Sequence, residues 1–111
     1  MSSVEELSPD ALESVLESEQ RPIVVDFWSP WCAPCRALRP HLDRLADEKK
    51  DEWRFVAVNT EAHPEVTERF DVAALPTLAW FRSGKELSRL AGGVTLSRVA
   101  ETLDALSGQE I

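Results

Sequence analysis

Apolar positions along the chain form short continuous runs separated by amphipathic stretches. Two runs are apolar enough for buried central strands, IVVDFW at 23–28 and RFVAVN at 54–59. A third run, TLAWF at 77–81, is followed by the polar turn RSGKE at 82–86 and by LSRLA at 87–91. These last three segments predict a β-hairpin.

Apolar residues at helical spacing predict four helices. The first begins with Ser8 as a cap and Pro9 in the first helical position, which is a typical start signal. On the second helix the spacing places Leu38 and Leu42 on the inner face and Arg39 outside. The four predicted helices cover residues 8–18, 32–50, 64–70 and 95–106.

The order of these elements predicts the fold class. Strand–helix alternation followed by a hairpin and a helix is typical of a mixed sheet with helices on both faces. We therefore expect one α/β domain over residues 1–111. The last helix should face its core through four apolar residues at helical spacing, Leu96, Val99, Leu103 and Leu106.

Composition excludes several classes of protein. A length of 111 residues with 43% apolar residues allows one ordinary hydrophobic core. The net charge of −8 argues against nucleic-acid binding through phosphate neutralisation. No apolar run approaches a membrane span, so we expect no membrane association. The first ten residues, MSSVEELSPD, lack the basic start and apolar stretch of a secretory signal, and a cytoplasmic location is the expectation.

The motif WSPWCAPCR at 28–36 carries both cysteines of the chain. Such a pair can be a metal clip, a structural staple or a redox couple. A structural zinc site needs four ligands, and only His41 and His63 could join the cysteines, so we expect no metal. A bridge across two intervening residues removes little chain entropy, which makes it a poor staple. The redox couple is favoured.

The position of the pair at a strand–helix junction gives each cysteine a different role. Cys32 lies at the helix N-terminus, where free N–H groups and the helix dipole favour a thiolate, so it should be the attacking nucleophile. Cys35 lies one turn further in on the same face and should be the resolving thiol. Pro34 suits the first helical turn and stiffens the loop between the two sulfurs.

The sequence resembles the thioredoxin family. The resemblance rests on VDFW at 25–28, WCAPC at 31–35 (usually WCGPC in the family), Pro40, LPT at 75–77 and Gly92. It implies the thioredoxin fold and a protein-disulfide reductase that works in electron transport and cell redox homeostasis through a Cys32–Cys35 disulfide. It further implies disulfide-containing protein substrates, no bound cofactor, and reduction by an NADPH-dependent flavoprotein, thioredoxin reductase. We expect a monomer.

The resemblance also assigns a substrate-binding rim. The family's matching proline is cis, so the Leu75–Pro76 bond should be cis here. The backbone at Leu75 would pair with an extended substrate peptide. Trp31, Pro34 and Gly92 would complete an apolar rim, together with Pro76, around the Cys32 sulfur.

Asp26 lies inside the apolar run IVVDFW, where burial should raise its pKa. The family's matching aspartate moves protons during exchange, so Asp26 is expected to act as the base for Cys35. Many thioredoxins carry a lysine where this chain has Ala57. Without that cation we expect the pKa of Asp26 to be higher than in a relative that has it, because desolvation would be unopposed.

Ala33 stands where the family has glycine, and with Pro34 it should tune the redox potential. Two alternatives stay open. The first is a protein of the same fold that acts as an oxidant or as a dedicated thiol donor. The second is a non-catalytic thioredoxin-like binding module or chaperone.

Overall fold

A five-stranded mixed sheet forms the centre of the computed structural model, which describes residues 3–108. The strands are β1 Glu5–Glu6, β2 Ile23–Trp28, β3 Arg54–Asn59, β4 Thr77–Arg82 and β5 Lys85–Ala91. Their order across the sheet is β1-β3-β2-β4-β5. The pairs β1–β3 and β3–β2 are parallel, whereas β2–β4 and β4–β5 are antiparallel. The predicted mixed sheet is confirmed.

The helices are α1 Pro9–Ser18, α2 Ala33–Glu48, α3 Val66–Arg69 and α4 Leu96–Ser107. The Ser8 hydroxyl caps α1 by accepting a hydrogen bond from the Ala11 N–H at 3.1 Å, as the sequence predicts. Thr95 caps α4 through a hydrogen bond from the Arg98 N–H at 3.2 Å. None of the helices within residues 3–108 is both long and apolar enough to cross a membrane.

Two hydrophobic clusters cover opposite faces of the sheet. Because successive strand residues point to opposite faces, Val24 enters one cluster and its neighbour Val25 enters the other. The first cluster takes its helical residues from α2 and α4, and the second takes them from α1 and α3. Helices therefore flank both faces of the sheet, as predicted.

The hairpin turn is tighter than the sequence predicted. Only Ser83 and Gly84 separate β4 from β5, and both have positive φ, 52° and 79°. Positive φ at both central residues is the type I′ arrangement, whose twist matches that of paired strands. Both strands consequently extend into the segment that was expected to be turn.

Two further expectations differ from the structure. Leu96 was expected in the core but is 36% exposed, because it occupies the first position of α4 and the buried stripe begins at Val99. Strand β1 was not predicted at all. Its residues Glu5 and Glu6 have exposed side chains, and it is held by backbone pairing with β3, which leaves no apolar pattern in the sequence.

Candidate active site

A short loop between β2 and α2 carries Cys32, and hydrogen bonds fix its path. The Cys32 N–H donates to the Ser29 carbonyl at 3.1 Å, and the Trp31 N–H donates to the Ser29 hydroxyl at 3.2 Å. From α2, the Arg36 guanidinium donates to the Pro30 carbonyl at 2.7 Å. Because Ser29 is buried, the loop is anchored to the body of the domain.

Cys32 and Cys35 form a disulfide at the start of α2. Cys32 is the N-cap residue of the helix, and its sulfur accepts a hydrogen bond from the Cys35 N–H at 3.2 Å. Cys32 is partly exposed, whereas Cys35 is only 2% exposed. Ala33 and Pro34 form the first helical positions between them, so the replacement of the usual glycine leaves the helix start intact.

The residues of the expected rim come from two neighbouring regions. One is the junction between β2 and α2, and the other is formed by the start of β4 and the end of β5. The Leu75–Pro76 bond is cis, as the resemblance implied. Thr77 pairs with Phe27, so Pro76 lies beside the end of β2, where the cysteine loop begins. The Gly92 N–H donates to the Pro76 carbonyl at 3.3 Å, and the positive φ of Gly92, 63°, favours glycine there.

The other rim residues differ in exposure. The side chain of Trp31 is 80% exposed, so it contributes little to the core of the domain. Pro34 is exposed on the first turn of α2. Leu75 is half-buried and packs against the hydrophobic cluster that includes Leu12 and Leu16 of α1.

Asp26 is buried in β2 and is 2% exposed. Burial raises its pKa to about 7, and the nearby Arg39 guanidinium opposes that rise. The Arg39 Nη2 donates to the Asp26 Oδ2 at 3.3 Å. The expectation that the desolvation of Asp26 is unopposed because residue 57 is alanine is therefore wrong, and so is the expectation that Arg39 points outside. That the pKa of Asp26 is higher than in a relative with lysine at this position stays a prediction.

Arg39 is the main site residue that the sequence analysis missed. An arginine on an amphipathic helix is normally assigned to solvent, but its long side chain can carry the charge back towards a partner. The available signal was its spacing: Arg39 follows Cys35 by four positions, which places both on one helical face. Thr60 was also missed; its N–H and hydroxyl donate to the Trp28 carbonyl at 2.7 and 3.0 Å, which ties the end of β3 to β2.

Residues 3–105 match the family model described as Thioredoxin. The chain belongs to the thioredoxin family. It is 39% identical over 92 residues to Thioredoxin 1 of Synechococcus elongatus, covering 83% of this chain and 85% of the relative. It is 33% identical over 98 residues to the chloroplastic M-type thioredoxin of Chlamydomonas reinhardtii, covering 88% of this chain and 70% of the relative.

Solved structures agree on the thioredoxin fold. One match comes from a study of the thiol resolving mechanism in yeast mitochondrial 1-Cys peroxiredoxin via glutathione and thioredoxin systems. That chain superimposes with a TM-score of 0.83 at 21% identity, covering 95% of this chain and 99% of the other. At this identity the match shows the fold alone.

Family membership and the cysteine pair together establish the activity. The thioredoxin-family chain is a thiol–disulfide oxidoreductase, a protein-disulfide reductase that works by dithiol–disulfide exchange through Cys32 and Cys35. Within the part of the chain that the structure describes, no group of three or more His, Cys, Asp or Glu side chains is arranged to hold a metal ion.

Proposed function

We propose that Cys32 is the nucleophile of this reductase. The observation that carries the proposal is the Cys35 N–H, which donates to the Cys32 sulfur at the N-cap of α2. In the reduced protein the same N–H and the helix dipole would favour the Cys32 thiolate. The thiolate attacks one sulfur of a substrate disulfide. A Cys32–substrate bond forms, and the other substrate sulfur leaves as a thiolate.

Cys35 is the resolving thiol and Asp26 its proton acceptor. The Cys35 thiol gives its proton to the Asp26 carboxylate, directly or through one water molecule, and the resulting thiolate attacks the Cys32 sulfur. The Cys32–substrate bond breaks, and the second substrate sulfur leaves as a thiolate that takes a proton from solvent. Two electrons have then passed to the substrate, and the Cys32–Cys35 bond has formed. The raised pKa of Asp26, about 7, suits a group that exchanges protons near neutral pH.

An extended substrate peptide is proposed to bind beside the cysteine loop. The backbone at Leu75 would supply strand-like hydrogen bonds, and the adjoining Pro76 and Gly92 allow close approach. Trp31, 80% exposed, and Pro34 would cover the apolar side of the peptide. Tryptophan is enriched in recognition surfaces and among the residues that contribute most to binding.

The proposed context of the reaction follows the family. An NADPH-dependent flavoprotein, thioredoxin reductase, would restore the dithiol, and the domain itself would bind no cofactor. Disulfide-containing proteins would be its substrates in cytoplasmic electron transport and redox homeostasis. The chain would act as a monomer, with residues 1–111 in one domain.

Insulin reduction measured together with the redox potential tests these roles. Wild type, Cys32→Ser and Cys35→Ser are compared with dithiothreitol and with an NADPH-driven reductase as electron donors. The proposal predicts that wild type reduces insulin and that either substitution abolishes turnover. A strongly oxidising potential with poor insulin reduction would instead favour the oxidant, which Ala33 in the motif keeps as an alternative. Retained turnover in Cys32→Ser would contradict the assignment of the nucleophile.

A further inference from the structure

Two carboxylates lie in one row across three strands. Glu6 of β1 and Asp26 of β2 are both partners of Ala57, which lies between them on β3. Because paired residues of neighbouring strands point to the same face of a sheet, the three side chains leave the sheet on one side. The central member is a small alanine, and it is fully buried. The middle of the row is therefore covered by another element, α2, whose Leu38 and Leu42 share a cluster with Ala57.

Arg39 of α2 spans this row of carboxylates. Its Nη1 donates to the Glu6 Oε2 at 2.9 Å, and its Nη2 donates to the Asp26 Oδ2 at 3.3 Å. The guanidinium carbon lies 4.8 Å from the centroid of the Trp28 ring, and the Trp28 Nε1 donates to the Glu6 Oε1 at 3.0 Å. Glu6 and Trp28 thus hold the guanidinium in place while it engages the buried Asp26.

This arrangement makes the two oxygens of Asp26 different. Oδ2 accepts the hydrogen bond from Arg39, whereas Oδ1 is buried and has no hydrogen-bond partner among residues 3–108. Side chains four positions apart on a helix lie about 5–6 Å from each other on one face. Cys35 and Arg39 are so spaced, and Arg39 touches Asp26. The face of α2 that carries Cys35 is consequently the face that covers the carboxylate.

We propose that Arg39 is a positioning residue for disulfide exchange, which orients Asp26 through Oδ2 so that Oδ1 takes the proton of Cys35. This inference rests on the proposed role of Asp26 as proton acceptor. Arg39 acts through Asp26 and not on the reacting sulfurs. Arg39 brings a cation to this row of side chains from α2, because Ala57 on β3 carries no charge.

The charges around Asp26 agree with this role. Burial raises the pKa of Asp26, and the carboxylates of Glu6 and Asp43 raise it further, whereas the charge and hydrogen bond of Arg39 lower it. Cys35, which also lies on α2, is the proposed proton donor to Asp26. Without Arg39, burial and both carboxylates would act in one direction, and Asp26 would ionise only at higher pH.

The test compares four variants of the full chain with wild type. Arg39→Met removes the charge but keeps an unbranched side chain, and Arg39→Lys keeps the charge. The double variant Arg39→Met/Ala57→Lys returns a cation to the row from β3, since residue 57 is the strand partner of Asp26. Asp26→Asn tests the proton acceptor itself. Thermal unfolding of each oxidised variant checks that it is folded.

Two measurements report on Asp26 and on the Cys35 step separately. Carbon-13 NMR follows the titration of the Asp26 carboxyl group in the oxidised protein. Rapid acid quench and mass spectrometry follow the decay of the Cys32–substrate mixed disulfide, which is the step driven by Cys35. The decay is recorded between about pH 5 and about pH 9, a range that brackets the titration of a carboxylate whose pKa burial has raised.

The proposal predicts that Arg39→Met moves the Asp26 titration up by roughly one unit or more, as expected on losing a cation in contact. Below the new midpoint, one unit leaves about tenfold less ionised Asp26, so decay should slow by up to about tenfold there. At high pH, where Asp26 is ionised in both proteins, the difference in rate should narrow, and the slowing that remains measures the lost orientation of the carboxylate. Arg39→Lys should retain part of the effect, and Arg39→Met/Ala57→Lys should move both readouts back towards wild type.

Different outcomes overturn different statements. If Asp26→Asn slows the decay but Arg39→Met changes neither the titration nor the pH profile, Arg39 has no positioning role and the role of Asp26 stands. If Arg39→Met lowers only thermal stability, its role is structural and the inference is wrong. If Asp26→Asn does not slow the decay, the proposed proton acceptor itself is wrong.

Discussion

Replacing Asp26 by asparagine should stabilise the oxidised protein at neutral and alkaline pH. Asp26 is an acid whose pKa burial raises from 3.8 in the unfolded chain to about 7 in the native protein. Between those two values the native state holds a proton that the unfolded state has lost, so the wild type loses stability as pH rises. Asparagine does not ionise, and the variant escapes this loss.

The size of the effect follows from the two pKa values. The interval from 3.8 to about 7, at about 1.36 kcal/mol per unit, corresponds to about 4 kcal/mol. Near pH 4 the two proteins should therefore have similar stability. The advantage of the variant should grow through this interval and level off above about pH 7. Arg39 keeps Glu6 as a partner in the variant, so no cation is left unpaired.

Urea unfolding of the oxidised proteins, followed by circular dichroism at several pH values, measures this difference. Asp47→Asn, which removes an exposed carboxylate from α2, gives the background effect of losing one charge. A stability difference between Asp26→Asn and wild type that does not depend on pH would refute the reasoning. So would a variant that is less stable than wild type at about pH 8.

Three further predictions concern other parts of the molecule. Glu19→Gln should destabilise the protein above about pH 4.5, because hydrogen bonds from Arg21 lower the pKa of Glu19 to about 2. The urea midpoints of variant and wild type should converge as the pH falls towards 2. Thr95→Ala removes the cap that binds the Arg98 N–H and should cost about 1 kcal/mol in urea unfolding, whereas an unchanged midpoint would contradict the capping role. Trp31→Ala should leave the thermal midpoint nearly unchanged, since the side chain is 80% exposed, but should reduce insulin turnover severalfold; full turnover would remove Trp31 from the substrate surface.

The apolar runs predicted the centre of the sheet to the residue. IVVDFW and RFVAVN are β2 and β3, and the predicted cap Ser8 is used. These elements are predictable because burial on both faces leaves a continuous apolar pattern, and capping depends on neighbouring residues only. Strand β1 could not be found in the same way. Its two glutamates are exposed, and its backbone pairing with β3 leaves no trace in side-chain pattern.

The candidate site was predictable where it follows the chain and unpredictable where it depends on packing. The roles assigned to Cys32 and Cys35 follow from their place at a helix start. The partner of Asp26 does not, because Arg39 is thirteen residues away in sequence and meets it only when α2 packs on the sheet. The sequence shows that residue 57 carries no positive charge. Only the tertiary structure shows that a cation from another element, Arg39 of α2, lies beside Asp26 instead.

The most direct test of the reductase mechanism is to trap its intermediate. Reduced Cys35→Ser and Cys32→Ser are each mixed with oxidised insulin under non-reducing conditions, and adducts are mapped by mass spectrometry. The mechanism predicts a stable mixed disulfide on Cys32 in Cys35→Ser and little or none in Cys32→Ser, since Cys35 is buried. An adduct that forms as fast on Cys35 as on Cys32 would contradict it.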